Sequence, residues 1–458
     1  MRNRLTDALS GQKADYLEIR LEEYESTNIH FQGKELEKIS SSQEIGGNVR
    51  ALVKGRWGFV TFNRWNDLEK KVKEAVDIAT LIGEQKSYFA PVEPVVEQLL
   101  PEIPESGRDF RKVSLTEKAS LMKNYSDLIV DFSPQIQSSI VDYTDRYSTV
   151  HLANSEGTYL RKERPYLSIH FTAIARHGDD VQMANESIGT IRGYKPAEQL
   201  SAVAQKAAQR AVNLLQAKSV PGGEYTVVLD PLLAGVFIHE AFGHLSEADF
   251  LAEDPRMQNL MQLGKRVAQE ELNVVDDGSL PGLLGSSKYD DEGVPTRKNY
   301  LIKEGVLSGR LHSRETAARM GESVTGNARA LSYHFKPIVR MTNTYIEEGK
   351  IPYQELFNDI KKGIYARQFY GGNTTFEMFT FSAGEGNLIE NGKITEPLRD
   401  ITLTGNLFET LYHIEGIGND LAIIESGGGC GKGGQQPLPV TFGSPHIRIR
   451  KVVVGGRH

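Results

Sequence analysis

Two histidines and a glutamate stand together in Gly235-Val-Phe-Ile-His-Glu-Ala-Phe-Gly-His-Leu-Ser-Glu-Ala-Asp249, within a run that is otherwise largely apolar. A His-Glu-x-x-His motif places two imidazoles on one helix face for a zinc ion, with the Glu as general base. Here the spacing is one residue longer, His239-Glu240-x-x-x-His244. Five residues of a regular α-helix turn through about 500°, leaving the imidazoles about 140° apart. They converge only where the helix widens to an i→i+5 turn or bends near Gly243, and glycine eases either distortion. The spacing therefore predicts a π-type turn or a bend between Ile238 and Leu245. By themselves these residues fit a second arrangement equally well. Both histidines are then simply hydrogen-bonded on an amphipathic helix, with Glu240 on a solvated face.

The single cysteine, Cys430, lies far along the chain in Glu425-Ser-Gly-Gly-Gly-Cys-Gly-Lys-Gly-Gly-Gln-Gln436, among six glycines that pack badly as core. A lone cysteine is ordinarily a small, inert, buried residue. As a thiolate it would complete a set of two His and one Cys, leaving the fourth zinc position for water. Its glycines let backbone approach a metal or an extended substrate closely, which marks Gly428, Gly429 and Gly431 as candidate substrate-binding positions. Glu247 and Asp249 are alternative ligands, beside their plainer reading as a charged helix end. His334, His413 and the amides of 427–434 are the candidate oxyanion donors, although each histidine alone reads more naturally as structural.

The elements that would position these groups fall into two parts. Tyr16-Leu-Glu-Ile-Arg-Leu-Glu-Glu and Gly47-Asn-Val-Arg-Ala-Leu-Val alternate apolar residues, as half-buried strands do. Helical spacing predicts helices over Asp67–Gly83, Leu115–Phe132 and Pro196–Ala217, and strands over Ile136–Tyr143, Tyr147–Asn154, Tyr166–Arg176 and Asp180–Ser187. Tyr88–Glu105, with its four prolines, reads as an irregular surface crossing. Then Tyr225–Asp230 is a short strand feeding the apolar helix Leu232–Leu245. Beyond Tyr333, β-branched segments alternate with glycine turns, and Asn391-Gly392 marks a hairpin. This is an α+β organisation: an N-terminal α+β domain over 1–220 with an antiparallel sheet, and a β-rich C-terminal domain over 221–458 carrying the metal-binding helix near its start.

Composition narrows the function classes. The 458 residues carry 53 Lys and Arg against 60 Asp and Glu, a net charge of −7 without basic clusters, which argues against a nucleic-acid partner. One cysteine excludes an intrachain disulfide and points to a reducing compartment. No apolar h-region follows the basic start, and no stretch approaches the roughly 18 apolar residues of a membrane span. The cytoplasm is the expected location, with no membrane partner.

The chain resembles the TldD/PmbA family of metallopeptidases, formerly described as modulators of DNA gyrase. The likeness rests on His239-Glu-Ala-Phe-Gly-His244, Tyr289-Asp-Asp-Glu-Gly-Val-Pro-Thr296 and Met341-Thr-Asn-Thr-Tyr345. It continues in Phe381-Ser-Ala-Gly-Glu-Gly-Asn-Leu-Ile-Glu-Asn-Gly-Lys393, Leu403-Thr-Gly-Asn406 and the glycines around Cys430. The N-terminal half matches in pattern, notably at Gly55-Arg-Trp-Gly-Phe59. The PmbA-like branch lacks the histidine motif, so the likeness is to the TldD branch. The resemblance implies His239, His244 and Cys430 as zinc ligands and Glu240 as the base. It also implies hydrolysis of unfolded or linear peptides in a cavity between two subunits, in a homodimer or a heterodimer with a PmbA-like partner. The rival expectation is a non-catalytic regulatory subunit whose zinc is structural or absent.

Overall fold

The computed structural model describes residues 1–81, 87–101 and 107–455. Its architecture is α+β, as the sequence predicts. Strands β1 (Tyr16–Gln32), β2 (Glu35–Val53), β3 (Arg56–Phe62), β4 (Val96–Leu99), β5 (Ile136–Asn154), β6 (Tyr159–His177) and β7 (Asp180–Thr190) form one sheet. Their order is β3-β2-β1-β5-β6-β4, with β7 also on β6, and every pairing is antiparallel except that of β4.

Side chains of a strand alternate between its faces. In β1 the odd-numbered Leu17, Ile19, Leu21, Ile29 and Phe31 are buried. Helices α1 (Arg2–Leu9), α2 (Leu68–Leu81), α3 (Leu115–Val130) and α4 (Ser201–Leu214) cover them. The even-numbered face carries Glu18, Arg20 and Glu22, which alternation alone would assign to solvent, yet none is more than 2% exposed. The second half of the chain covers this face and supplies partners. Arg50 pairs with Glu18 at 2.9 Å and with Glu292 at 3.1 Å, while Arg20 reaches Glu22 at 3.0 Å and Asp291 at 3.3 Å. Lys162 and Arg164 also converge on Asp291. Removing one member would leave a buried charge uncompensated, so the network ties the two halves together.

Several boundaries differ from expectation. The strands expected at Ile136–Tyr143 and Tyr147–Asn154 are one strand, because residues 144–146 stay paired with β1 and β6 on both sides. Within Tyr88–Glu105, expected to lack regular structure, Val96–Leu99 lies between Pro94 and Pro101 and pairs parallel with Tyr159–Lys162. Residues 102–105 of that stretch, and 82 and 83 of the helix expected to end at Gly83, lie outside the described residues. The helix expected from Pro196 opens as a 3₁₀ turn, Lys195–Gln199, and becomes α-helical at Ser201.

In the second half, strands Lys362–Thr375, Gly223–Leu229, Ile447–Gly455, Thr402–Asn406 and Met378–Glu390 follow one another in a mixed sheet. Because Lys362–Thr375 also pairs with Met378–Glu390, these five close into a ring. The hairpin expected at Asn391-Gly392 forms: both have positive φ (49° and 76°) and Glu390 pairs with Lys393, the geometry of a two-residue primed turn. A six-stranded sheet that includes Asn343–Ile346 and Thr441–Ser444 lies beyond. Helix α5 (Pro231–Phe237) packs on both Thr441–Ser444 and Lys362–Thr375. It is therefore apolar nearly all round and runs straight into the histidine motif.

Candidate metal centre

Asp230 caps α5 by accepting from the Leu233 amide at 2.8 Å, and Pro231 occupies the first turn, where its missing N–H is not needed. After Phe237 the helix widens. Residues Ile238–Gly243 are π-helical, and His244–Ser246 tightens to a 3₁₀ turn. The His244 amide donates to the His239 carbonyl, an i→i+5 bond that joins the two histidines themselves. This widening brings residue i+5 back over residue i, so the rings lie with centroids 5.4 Å apart at 80°. The role expected of Gly243 differs in its cause. Its backbone is ordinary right-handed helix (φ −58°, ψ −46°), so conformational freedom is not needed there. A Cβ at Gly243 would stand 2.1 Å from Met341 Sδ. The glycine makes room for Met341, which packs against the turn.

Cys430 lies on the short strand Gly429–Lys432, paired with Gln435–Pro439. The fully buried Arg340 holds both strands, donating to the Cys430 carbonyl at 2.5 Å and the Gln435 carbonyl at 3.2 Å. The approach to this strand is strapped to the N-terminal sheet. Gly189 N donates to Glu425 O at 2.8 Å, and Tyr166 Oη donates to Gly427 O at 2.7 Å. Two of the glycines answer to these neighbours: a Cβ would meet Ile188 O at 2.1 Å from Gly427 and Pro437 at 2.5 Å from Gly429. Gly428 has nothing closer than Ser426 Oγ at 3.5 Å, and Gly431 only the Gln436 side chain at 3.0 Å.

The fold brings His239, His244 and Cys430 together. One side-chain donor atom from each lies within 4.8 Å of the others, and Cys430 Sγ is 3.2 Å from His244 Nε2. Glu247, an alternative ligand by sequence, is engaged otherwise. Its carboxylate accepts from His244 Nδ1 at 2.9 Å, which leaves Nε2 facing the sulfur. Asp249 pairs with Lys432 at 2.6 Å. Neither joins the cluster, because both carboxylates are drawn to cations on its outer side. His334 packs against Tyr333 with the rings tilted by 34° and His413 ends a short helix, and they too are outside it. Sequence reasoning missed Lys432 and Arg340; their signal was two cations beside the cysteine and the Met341 motif, with no visible partner.

Electrostatics in the cluster are strongly coupled. Burial alone would raise the Cys430 thiol, but His239 and His244 bring it down to about 5. Burial alone would lower His244, but Glu247 and Cys430 push it to about 11. These opposite shifts describe a thiolate and an imidazolium sharing a proton, a place a dication can take. His239 Nδ1 is buried with no hydrogen-bond partner. Such an atom is costly to bury, and coordination through Nδ1 itself would satisfy it. Two imidazoles and a thiolate suit zinc, whose bonds of about 2.0–2.3 Å span the group. The residues fit a metal. Glu240 is half exposed beside them, with Oε2 3.8 Å from His244 Nε2.

Three family models cover the chain: PmbA/TldA metallopeptidase domain 1 over residues 17–79, the central domain over 108–215 and the C-terminal domain over 222–456. A metalloprotease of Synechocystis is 48% identical, with the match covering 97% of this chain and 95% of the relative. A protein of Saccharolobus solfataricus named as a zinc metalloprotease TldD homolog is 31% identical, covering 97% of each. The crystal structure of TldE from Thermococcus kodakarensis shares the fold with a TM-score of 0.79 over the whole of both chains, at 18% identity.

Proposed function

We propose that this chain, which belongs to the PmbA/TldD metallopeptidase family, is a zinc-dependent peptidase acting on unfolded or linear peptides, with His239, His244 and Cys430 as ligands and Glu240 as base. The observation that carries the reading is the i→i+5 bond between His244 and His239, which turns a poor helical spacing into a convergent pair beside Cys430. Zinc, when bound, supplies Lewis acidity at the scissile carbonyl and eases ionisation of the attacking water. Glu240 does the proton work. Its carboxylate adjoins the ligands and has no hydrogen bond of its own among the described residues, so it is free to take a proton from water and return it to the leaving amine. A third ligand that is a thiolate donates more charge than an imidazole, which favours a mild Lewis acid and slow turnover.

The substrate is read as an extended strand. The Cys430 hairpin pairs with no further strand among the described residues, so Gly428, Gly429 and Gly431 offer main-chain groups to a peptide. Main-chain pairing of this kind tolerates many sequences. The donor set falls wholly within 221–458, and we assign catalysis to that part. Assembly as a homodimer, or with a PmbA-like subunit, and a cytoplasmic location belong to the same proposal. Among the described residues no helix is long and apolar enough to cross a membrane. The test is hydrolysis of unstructured peptides by purified chain of known zinc content, before and after a chelator and on zinc return. Activity indifferent to the chelator, or absent at full zinc occupancy, defeats the reading.

A further inference from the structure

We propose that Glu247 and Lys432 are positioning residues that lock the two ligand-bearing elements together, so that His244 and Cys430 face one ion. The proposal rests on the reading of His239, His244 and Cys430 as metal ligands. His244 and Cys430 are 186 residues apart in sequence, on a helix end and a two-stranded hairpin. Backbone pairing fixes neither element to the other, so their separation depends on side chains.

Glu247 follows the 3₁₀ turn with an extended backbone (φ −77°, ψ 112°), which ends the helix and turns the carboxylate back towards His244. That carboxylate is fully buried, and its contacts are shared out. Oε2 accepts from His244 Nδ1 at 2.9 Å and meets Lys432 Nζ at 3.0 Å, while Oε1 accepts from the Met341 amide at 3.3 Å. A carboxylate that accepts from one imidazole nitrogen sets the tautomer and aims the other nitrogen outward. Lys432 stands two residues beyond Cys430 on the same strand. Its ammonium donates to Asp249 Oδ1 at 2.6 Å and to Val339 O at 2.8 Å, and it forms an ion pair with Glu247 Oε2 at 3.0 Å. The side chain is only 7% exposed, and its Nζ also lies 4.3 Å from the centroid of the Phe250 ring. An ammonium so fully used is a fastener. It ties the hairpin to the Glu247 that orients His244, and both side chains grip the same short segment, at Val339 O and the Met341 amide.

The experiment compares zinc affinity of the full-length wild type, Glu247→Gln and Lys432→Met by competition with a chromophoric chelator. Cobalt(II) spectra and thermal unfolding are recorded alongside. Each variant keeps all three ligands, so saturating cobalt should still give a thiolate-to-metal band, while zinc affinity should fall about 10–100-fold. Lys118→Met is the control. It breaks the equally buried pair of Lys118 with Asp145 (2.5 Å) elsewhere and should lower thermal stability without touching zinc affinity. If Lys432→Met does not fold, Asp249→Asn removes one of its partners and should weaken zinc several-fold. Folded variants with wild-type affinity overturn the proposal while leaving the metal centre standing. A wild type that takes up no zinc overturns both.

Discussion

Cys430→Ser is the sharpest perturbation, because only tertiary structure brings this residue to the histidines. The site lowers the thiol from its ordinary 9.0 to about 5. That preference for the thiolate is worth roughly 5 kcal/mol, so at neutral pH the anion outnumbers the thiol about a hundredfold. Serine of nearly the same shape stays a neutral hydroxyl and offers no such anion. Protein zinc sites bind with about 10–16 kcal/mol shared among four ligands, so losing one should weaken binding by about 3 kcal/mol, or 100- to 1000-fold. The assay is a zinc dissociation constant from chelator competition, with zinc content after gel filtration and circular dichroism to show that the fold persists. Acidification tests the same ligand in the wild type. The folded-state value lies below the ordinary one, so the thiolate's contribution is present at higher pH and lost as pH falls through about 5, and zinc affinity should fall steeply below that value as protons compete for the sulfur. A folded Cys430→Ser chain that keeps one zinc at near wild-type affinity refutes the thiolate assignment.

Three further perturbations test other parts of the argument. Glu240→Gln should keep zinc, since Glu240 lies outside the ligand cluster, while peptide hydrolysis falls at least about 100-fold; near-normal hydrolysis removes Glu240 from the mechanism. Gly243→Ala forces a Cβ onto Met341 Sδ, 2.1 Å away, and should destabilise by about 1–3 kcal/mol in denaturant unfolding. Adding Met341→Ala should then cost less than it does alone, and strict additivity would show that the clash is not the cause. Burial holds His151 down at about 4 from its ordinary 6.5, with Arg161 adding to the effect. A base with a lowered folded-state value stabilises above 6.5 and loses that contribution as pH falls towards 4. The loss is about 2 kcal/mol after allowing for partial solvent screening. His151→Gln should flatten that acid limb of the stability curve; an unchanged slope would falsify the assignment.

What the sequence makes legible here is local. The five-residue interval between His239 and His244 calls for a widened turn, and the chain supplies an i→i+5 bond between those two residues. Asn391-Gly392 demands positive φ twice and forms the hairpin. Long-range partnership is what stays hidden. Tyr16-Leu-Glu-Ile-Arg-Leu-Glu reads as a strand with one solvated face, because nothing nearby reveals that Glu292, 242 residues beyond Arg50, will cover it. Glu247 and Asp249 read as ligands for the same reason: their carboxylates are near the histidines in sequence, whereas Lys432, which claims both, is not. Gly243 was legible as a special position, but the cause is a methionine about a hundred residues away.

The same long-range partners decide how much of the molecule the centre needs. The donors lie in the second half, yet the strand carrying Cys430 is reached through residues 425–427, which the N-terminal sheet holds. Gly189 fastens Glu425, Ser187 Oγ donates to Ser426 O at 2.5 Å, and Tyr166 fastens Gly427. Gly427 itself lies so close to Ile188 O that any side chain would separate the layers. Further along the same contact, Asn48 Nδ2 donates to Tyr333 O at 2.8 Å, and Tyr333 lies against Gly46. The stretch from Ser332 to Met341 then leads to Arg340 and Met341, which hold the cysteine hairpin and the π turn. The position of Cys430 is thus set from two sides, by the sheet through Tyr166 and Ser187 and by the helix end through Glu247 and Lys432. Held from both sides, the Cys430 sulfur meets His244 Nε2 at 3.2 Å. The N-terminal sheet is in this sense part of the centre, although it contributes none of the three donors.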